Sequence, residues 1–192
     1  MGAKCRGDFM GTITVWTKQH KNVLDILNRR GRYTAQKEFI HQSEEAMLVI
    51  NSYDWLVEHH PDRKNKPADG DYPVWVSPRQ DATMLLSPDT VILELAVPEE
   101  KITWLNIIKW TMVNNYEYIP ADEKDLSFHK QKLREYGVSD PKACMTQFYP
   151  ELKREIQDSW NRVFDDSVKV GSDLAYGLVW ELHKEWLQTV IS

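Results

Sequence analysis

The chain has 192 residues, with 24 Lys and Arg against 29 Asp and Glu and a formal charge of −5 at pH 7. That is the length of one domain. Its 42% hydrophobic and 28% charged residues exclude a disordered chain and supply enough apolar surface for a core. No apolar run approaches the roughly 20 residues that span a bilayer, and residues 1–11 lack the apolar middle of a signal peptide, so the expected compartment is the cytoplasm, without a membrane partner. Cys5 and Cys144 are far apart and lack Cys/His spacing, so neither a disulfide framework nor a metal site is expected.

Residues 1–11 read as a polar leader, and residues 12–192 as a single α+β domain. Thr12 to Thr17 alternates β-formers and predicts a strand. A helix follows, with Asn22 as its cap, Val23, Leu24, Ile26 and Leu27 as its apolar stripe and Gly31 as its stop. A second helix is expected from a Ser43 cap to Pro61, lined by Met47, Ile50, Tyr53 and Val57, with Asp54 as an acid on its buried face. Strands are expected at Tyr72 to Val76, at Thr83 to Leu86 and at Thr90 to Val97, the last central because its apolar run is broken only by Glu94. Helices are expected from Thr103 to Asn114, from Asp122 to Tyr136 as a solvated outer element closed by Gly137, from the Asp140-Pro141 pair, and from Pro150 along Leu152, Ile156, Trp160 and Val163. The terminal stretch fits a strand to about Leu182 followed by a helix. The arrangement predicts a central, mostly antiparallel sheet flanked by helices.

Motifs for nucleotide loops, serine hydrolase elbows and common zinc enzymes are absent. Adjacent His59 and His60 point about 100° apart on a helix, which argues against a shared metal with Glu58 and Asp62. Cys144 and His129 offer a thiol and a base, but a buried inert thiol is the commoner fate. Eight tryptophans exceed ordinary usage and mostly suit a core. Eight basic and three acidic residues in the first 40 leave +5 there; Arg29, Arg30 and Arg32 in that segment suit phosphate or nucleic acid, but the stronger reading is that they end a predicted helix and offset the negative end of its dipole. Trp16, Thr17, Lys18 and Gln19 end the first strand, with Thr17 and Gln19 on one side and Trp16 and Lys18 on the other, so either face suits a ligand.

Thr14-Val15-Trp16-Thr17-Lys18-Gln19, Tyr53-Asp54-Trp55, Tyr72-Pro73-Val74-Trp75, Ser159-Trp160 with Phe164, and Trp180-Glu181-Leu182 with Glu185-Trp186 occur in an order that resembles the bacterial and phage family called domain of unknown function 3841. That family carries no established activity. The strand, the short helix ending at a glycine and the later apolar strand also look like the small ADP-ribosyltransferases, a likeness of architecture. That likeness implies an NAD-using transferase that modifies a macromolecule, protein or nucleic acid. It implies Thr17 and Gln19 on the ribose, Trp16, Tyr53 or Trp75 stacked on nicotinamide, Lys18 or Arg79 on the pyrophosphate, and Glu181, with Glu94 as the lesser candidate, as the catalytic acid. The sequence lacks the Arg or His signature of the first strand and the paired Glu motif near the end. The rival expectation is a non-catalytic module of a bacterial or phage defence system that engages protein or nucleic acid.

Overall fold

A computed structural model of the chain describes residues 11–37, 44–83 and 85–192, with residues 44–49 as backbone only. The leader up to Met10, Cys5, the Ser43 cap, Met84 and the side chain of Met47 lie outside the described residues. In chain order the elements are β1 (Thr12–His20), α1 (Lys21–Arg30), β2 (Arg32–Tyr33), α2 (Glu44–His59), β3 (Val74–Val76), β4 (Thr90–Pro98), β5 (Thr103–Asn106), α3 (Ile107–Asn114), α4 (Glu123–Tyr136), α5 (Asp140–Met145), α6 (Pro150–Ser159), β6 (Ala175–Val179), β7 (Leu182–His183) and β8 (Leu187–Ile191). The class is α+β, as expected, with the strands in three small antiparallel sheets. Contacts divide the chain into two compact units.

The first unit comprises the described residues up to Ala35, Pro67–Thr103 and Gly177–Ser192. Its main sheet has the order β1-β4-β8. The expectation for β4 holds: it lies between two strands, and its Val91, Ile92, Leu93, Leu95 and Val97 are all buried. Burying each such side chain favours folding by about 2 kcal/mol. On β1, Val15 and Thr17 turn toward the core side while Trp16 and Lys18 turn to the other face. Trp16 stands opposite Glu94, and Lys18 opposite Ile92. Elsewhere β2 pairs with β7, and β3 with β6 through Trp75 opposite Leu178.

α1 ends as predicted at Gly31, whose φ of 76° is left-handed and whose N–H reaches Leu27 O at 2.9 Å. Its start differs. His20 is the cap, and its Nδ1 accepts from the Asn22 N–H at 3.1 Å, so Asn22 is already helical. The expected strand at Thr83 to Leu86 is absent among its described residues, because a three-ten turn over Gln80–Ala82 leads into irregular chain whose Leu85 carbonyl is held by Lys18 Nζ, not by a ladder partner. The expected terminal helix is β8 instead. Extended backbone prevails there because Ile191 pairs opposite Ile92 and Val190 opposite Leu93.

The second unit comprises 36–66 and 104–176 and holds most of the helices. The stripe predicted from Pro150 is buried, with Leu152 and Ile156 on α6 and Trp160 and Val163 on the three-ten turn that follows it. Trp160 anchors this core: its Nε1–H donates to Glu117 O at 2.9 Å, and Trp55 meets it edge-on at 5.5 Å. The helix expected from Thr103 begins later, at Ile107, because the Asn106 carboxamide oxygen caps the Ile108 and Lys109 N–H groups. The face assigned to α2 is also corrected. Ser52, Trp55 and Leu56 are buried, whereas Asp54 is exposed and faces Lys37 at 3.6 Å. Five of the eight tryptophans, Trp55, Trp110, Trp160, Trp180 and Trp186, are core residues.

Candidate functional site

The outer face of β1-β4-β8 carries the first candidate. Trp16, Ile92 and Ile191 from the sheet, residues 78–81, and Thr83, Leu85 and Leu86 line an open groove of about 730 Å³. Two backbone hydrogen bonds between Trp16 and Ser77 fix where that segment leaves the sheet. Ser77 Oγ then accepts from Arg79 N and donates to Arg79 O, which sets the Arg79 backbone, and the guanidinium forks onto Asp81 at 2.9 and 2.5 Å. This pairing raises the Arg79 pKa and lowers that of Asp81. Trp16 Nε1 is buried yet has no hydrogen-bond partner among the described residues. An unmet buried donor costs about 1–3 kcal/mol, so an acceptor arriving in the groove would be stabilised there.

The structure sorts the predicted residues into distinct places. Trp16 and Arg79 line the groove, and Lys18, on the same face as Trp16, donates to Leu85 O at 2.5 Å. Glu94 does not line the groove but stands directly opposite Trp16 in register, and directly opposed antiparallel residues have Cβ atoms about 5 Å apart. Thr17 and Gln19 do not line the groove either. Thr17 is 3% exposed, its hydroxyl donates to Trp75 O at 2.7 Å, and its oxygen accepts from Gln19 Nε2 at 2.8 Å. The single hydroxyl proton of Thr17 therefore joins β1 to β3. Tyr53 belongs to the second unit, where it packs edge-on against Trp110 at 5.4 Å.

Glu181 lies two residues beyond β6 in a polar cluster of its own. Arg32 Nε donates to its Oε2 at 2.8 Å, His183 Nε2 lies 3.0 Å from Oε1, and the other arm of Arg32 holds Asp69 at 2.5 Å. Partial burial pushes the carboxyl upward, but the hydrogen bonds from His183 and Arg32 outweigh it and hold the group below its ordinary range. The side chain is ionised but does not line the Trp16 groove. Arg32, expected on a phosphate-binding surface with Arg29 and Arg30, is tied to these two acids.

A family model described as Domain of unknown function (DUF3841) matches residues 14–188, which includes every predicted site residue. The chain belongs to this family. No curated protein and no solved structure matches it.

In this DUF3841 protein the second unit holds a polar network that sequence reading missed. His129, on the helix expected to be merely solvated, is 2% exposed and sits between Asp140, 2.7 Å from Nε2, and Glu155, 3.1 Å from Nδ1. Ser139 takes the cap of α5, which leaves the Asp140 carboxylate to His129 and to the Tyr118 N–H. A histidine on the otherwise polar α4 was the one available signal. The Cys144 thiol, pushed up to about 12 chiefly by burial, has no base in His129, whose ring nitrogens are both engaged. Burial pushes His60 down to about 4, so it is neutral. Among the described residues no three His, Cys, Asp or Glu side chains are grouped to hold a metal, and no helix is long and apolar enough to cross a membrane.

Proposed function

We propose that this DUF3841 domain is an ADP-ribosyltransferase-like protein that takes NAD in the Trp16 groove and modifies a macromolecule. The observation that carries the reading is the Trp16 N–H, without a partner among the described residues, in the same groove as Arg79. A buried indole donor suits the carbonyl oxygen of a flat carboxamide ring, and a guanidinium with donors left over after Asp81 suits a pyrophosphate. NAD would supply the nicotinamide–ribose bond whose cleavage builds positive charge. A nearby carboxylate stabilises such charge. Glu94 has the position for that work, beside Trp16, and Glu181 stands in a different place, held by Arg32 and His183. Thr17 and Gln19 are left to the scaffold.

Equilibrium dialysis with labelled NAD tests binding, and release of nicotinamide tests turnover. The expected results are binding weakened about tenfold by Trp16→Phe, which keeps the ring and deletes the donor, and turnover lost in Glu94→Gln with Glu181→Gln as the comparison. Absence of NAD binding by the unmodified chain removes the class. The rival reading, a non-catalytic module for protein or nucleic acid, rests on exposed Arg29 and Arg30 without Arg32. Salt-dependent nucleic-acid retention with no NAD binding would favour it.

A further inference from the structure

The second unit has a cleft of its own, about 640 Å³, lined from α2, the turn after α3, the end of α5, and α6. That volume lies in the range of small-molecule sites. Its floor is aromatic. Trp55 and Trp160 are nearly buried, and His59 lies flat on Trp55 with centroids 4.4 Å apart and 12° between planes. His59 is fixed there because Nδ1–H donates to Trp55 O at 2.9 Å. Tyr116 supplies a wall from a backbone with φ of 58°, a left-handed conformation rare for a bulky residue, and its ring lies 6.1 Å from that of Trp160.

The rim of this cleft is acceptor-rich. Asn51, Asp54, Trp55, Glu58 and His59 recur at three- and four-residue steps and so share one face of α2, which brings two carboxylates to the cleft, and Asp158 at the end of α6 adds a third. Lys153 is the one ammonium in the lining. Asp54 has Lys37 at 3.6 Å, while Glu58 and Asp158 have no ion pair among the described residues. Carboxylates only accept hydrogen bonds, so a complementary ligand must be rich in N–H donors, positively charged, and flat enough to lie on the aromatic floor. A guanidinium meets all three requirements, since it pairs with carboxylates through parallel N–H groups and stacks on rings.

We propose that the cleft between α2 and α6 binds a guanidinium group, held by Glu58 and Asp158 over the His59–Trp55 stack. Either a free small guanidine or an arginine side chain of a protein partner carries this group. The site is independent of the NAD reading, because every lining residue belongs to the second unit.

Isothermal titration of the full chain with agmatine and with the peptide acetyl-Gly-Arg-Gly-amide tests it, with the citrulline peptide as the uncharged isostere. The expected result is saturable binding of at least one guanidinium probe, at least tenfold tighter than the citrulline peptide. Glu58→Gln and Asp158→Asn are each expected to weaken it about threefold, and Lys153→Met to strengthen it by a similar factor, because the ammonium repels the ligand. These are surface substitutions that leave the aromatic floor in place, and circular dichroism confirms the fold. Tighter binding of the peptide identifies a protein partner, and tighter binding of agmatine a free guanidine. The proposal is overturned if neither probe binds, if the citrulline peptide binds equally, or if Lys153→Met abolishes binding. Loss of NAD binding in Trp16→Phe leaves it untouched.

Discussion

The imidazole of His129 lies flat against the ring of Tyr118, with centroids 3.9 Å apart and 9° between planes. Both of its nitrogens face carboxylates, Asp140 and Glu155, and a neutral ring has only one N–H to offer, so the pair of contacts selects the imidazolium. Arg162 stands 5.4 Å over the same tyrosine and pairs with Asp125, which accepts from the Tyr118 hydroxyl. The network joins α4, α5 and α6 to the segment before them.

Burial opposes the charge on His129, but Asp140 and Glu155 outweigh it and raise the pKa above its ordinary 6.5. The folded state therefore binds the proton more tightly than the unfolded chain. Its stabilising contribution is complete below about pH 6.5 and is lost as pH rises through the higher folded-state value. Glu155, whose pKa is lowered mainly by Lys132 and His129 against the effect of burial, contributes in the opposite window, above its ordinary 4.5, and loses that contribution as pH falls. Thermal unfolding from pH 6 to pH 9 should show a falling midpoint for the unmodified chain and a flatter profile for His129→Gln. A parallel fall in both would remove His129 as the cause.

Thr17→Val keeps the shape of a 3%-exposed side chain and deletes the hydroxyl that joins β1 to the Trp75 carbonyl. We expect a loss of about 1–3 kcal/mol in urea unfolding, because the carbonyl and the Gln19 amide lose their partner together. NAD binding by the folded variant should be unchanged, since the groove is on the opposite face of β1. A selective loss of NAD binding without loss of stability would return Thr17 to the ligand.

Gly31→Ala tests the close of α1 in isolation. A Cβ there meets nothing within 4 Å, so only the left-handed φ of 76° resists it. The expected cost is about 1 kcal/mol. A much larger value in urea unfolding would mean that the Gly31 carbonyl contact with the Lys184 N–H, 2.8 Å in length, is also broken.

Cys144 should resist alkylation. With its thiol pushed up to about 12, almost no thiolate exists at pH 8, and the side chain is 4% exposed. In a Cys5→Ser background, iodoacetamide at pH 8 should label the chain only after denaturant is added, as read by mass. Rapid labelling of the native chain would show that Cys144 is reached through the cleft it lines.

What was legible in the sequence was the local chemistry. Gly31 and Gly137 close their helices in left-handed conformations, and β4 reads as buried because its apolar run does not alternate. These signals act within a few residues and need no partner. The terminal stretch is ambiguous in sequence because Leu178, Leu182 and Trp186 keep helical spacing while Leu178, Trp180 and Leu182 alternate, and pairing decides it: Leu178 lies opposite Trp75, Leu182 opposite Tyr33, and Ile191 opposite Ile92. Asp54 was misplaced for a related reason: α2 is apolar over a wide arc, and the packing of Trp55 on Trp160 sets which side is inward.

The sequence by itself determined the α+β class, the glycine stops of α1 and α4, the central strand and the family, because those depend on residue type and short spacing. Tertiary structure alone decided which acid stands beside Trp16, that Glu181 is enclosed by Arg32 and His183, and that the buried His129 ring lies between Asp140 and Glu155. Strand register and helix packing bring together residues as much as 149 positions apart, and no periodicity along the chain encodes that distance.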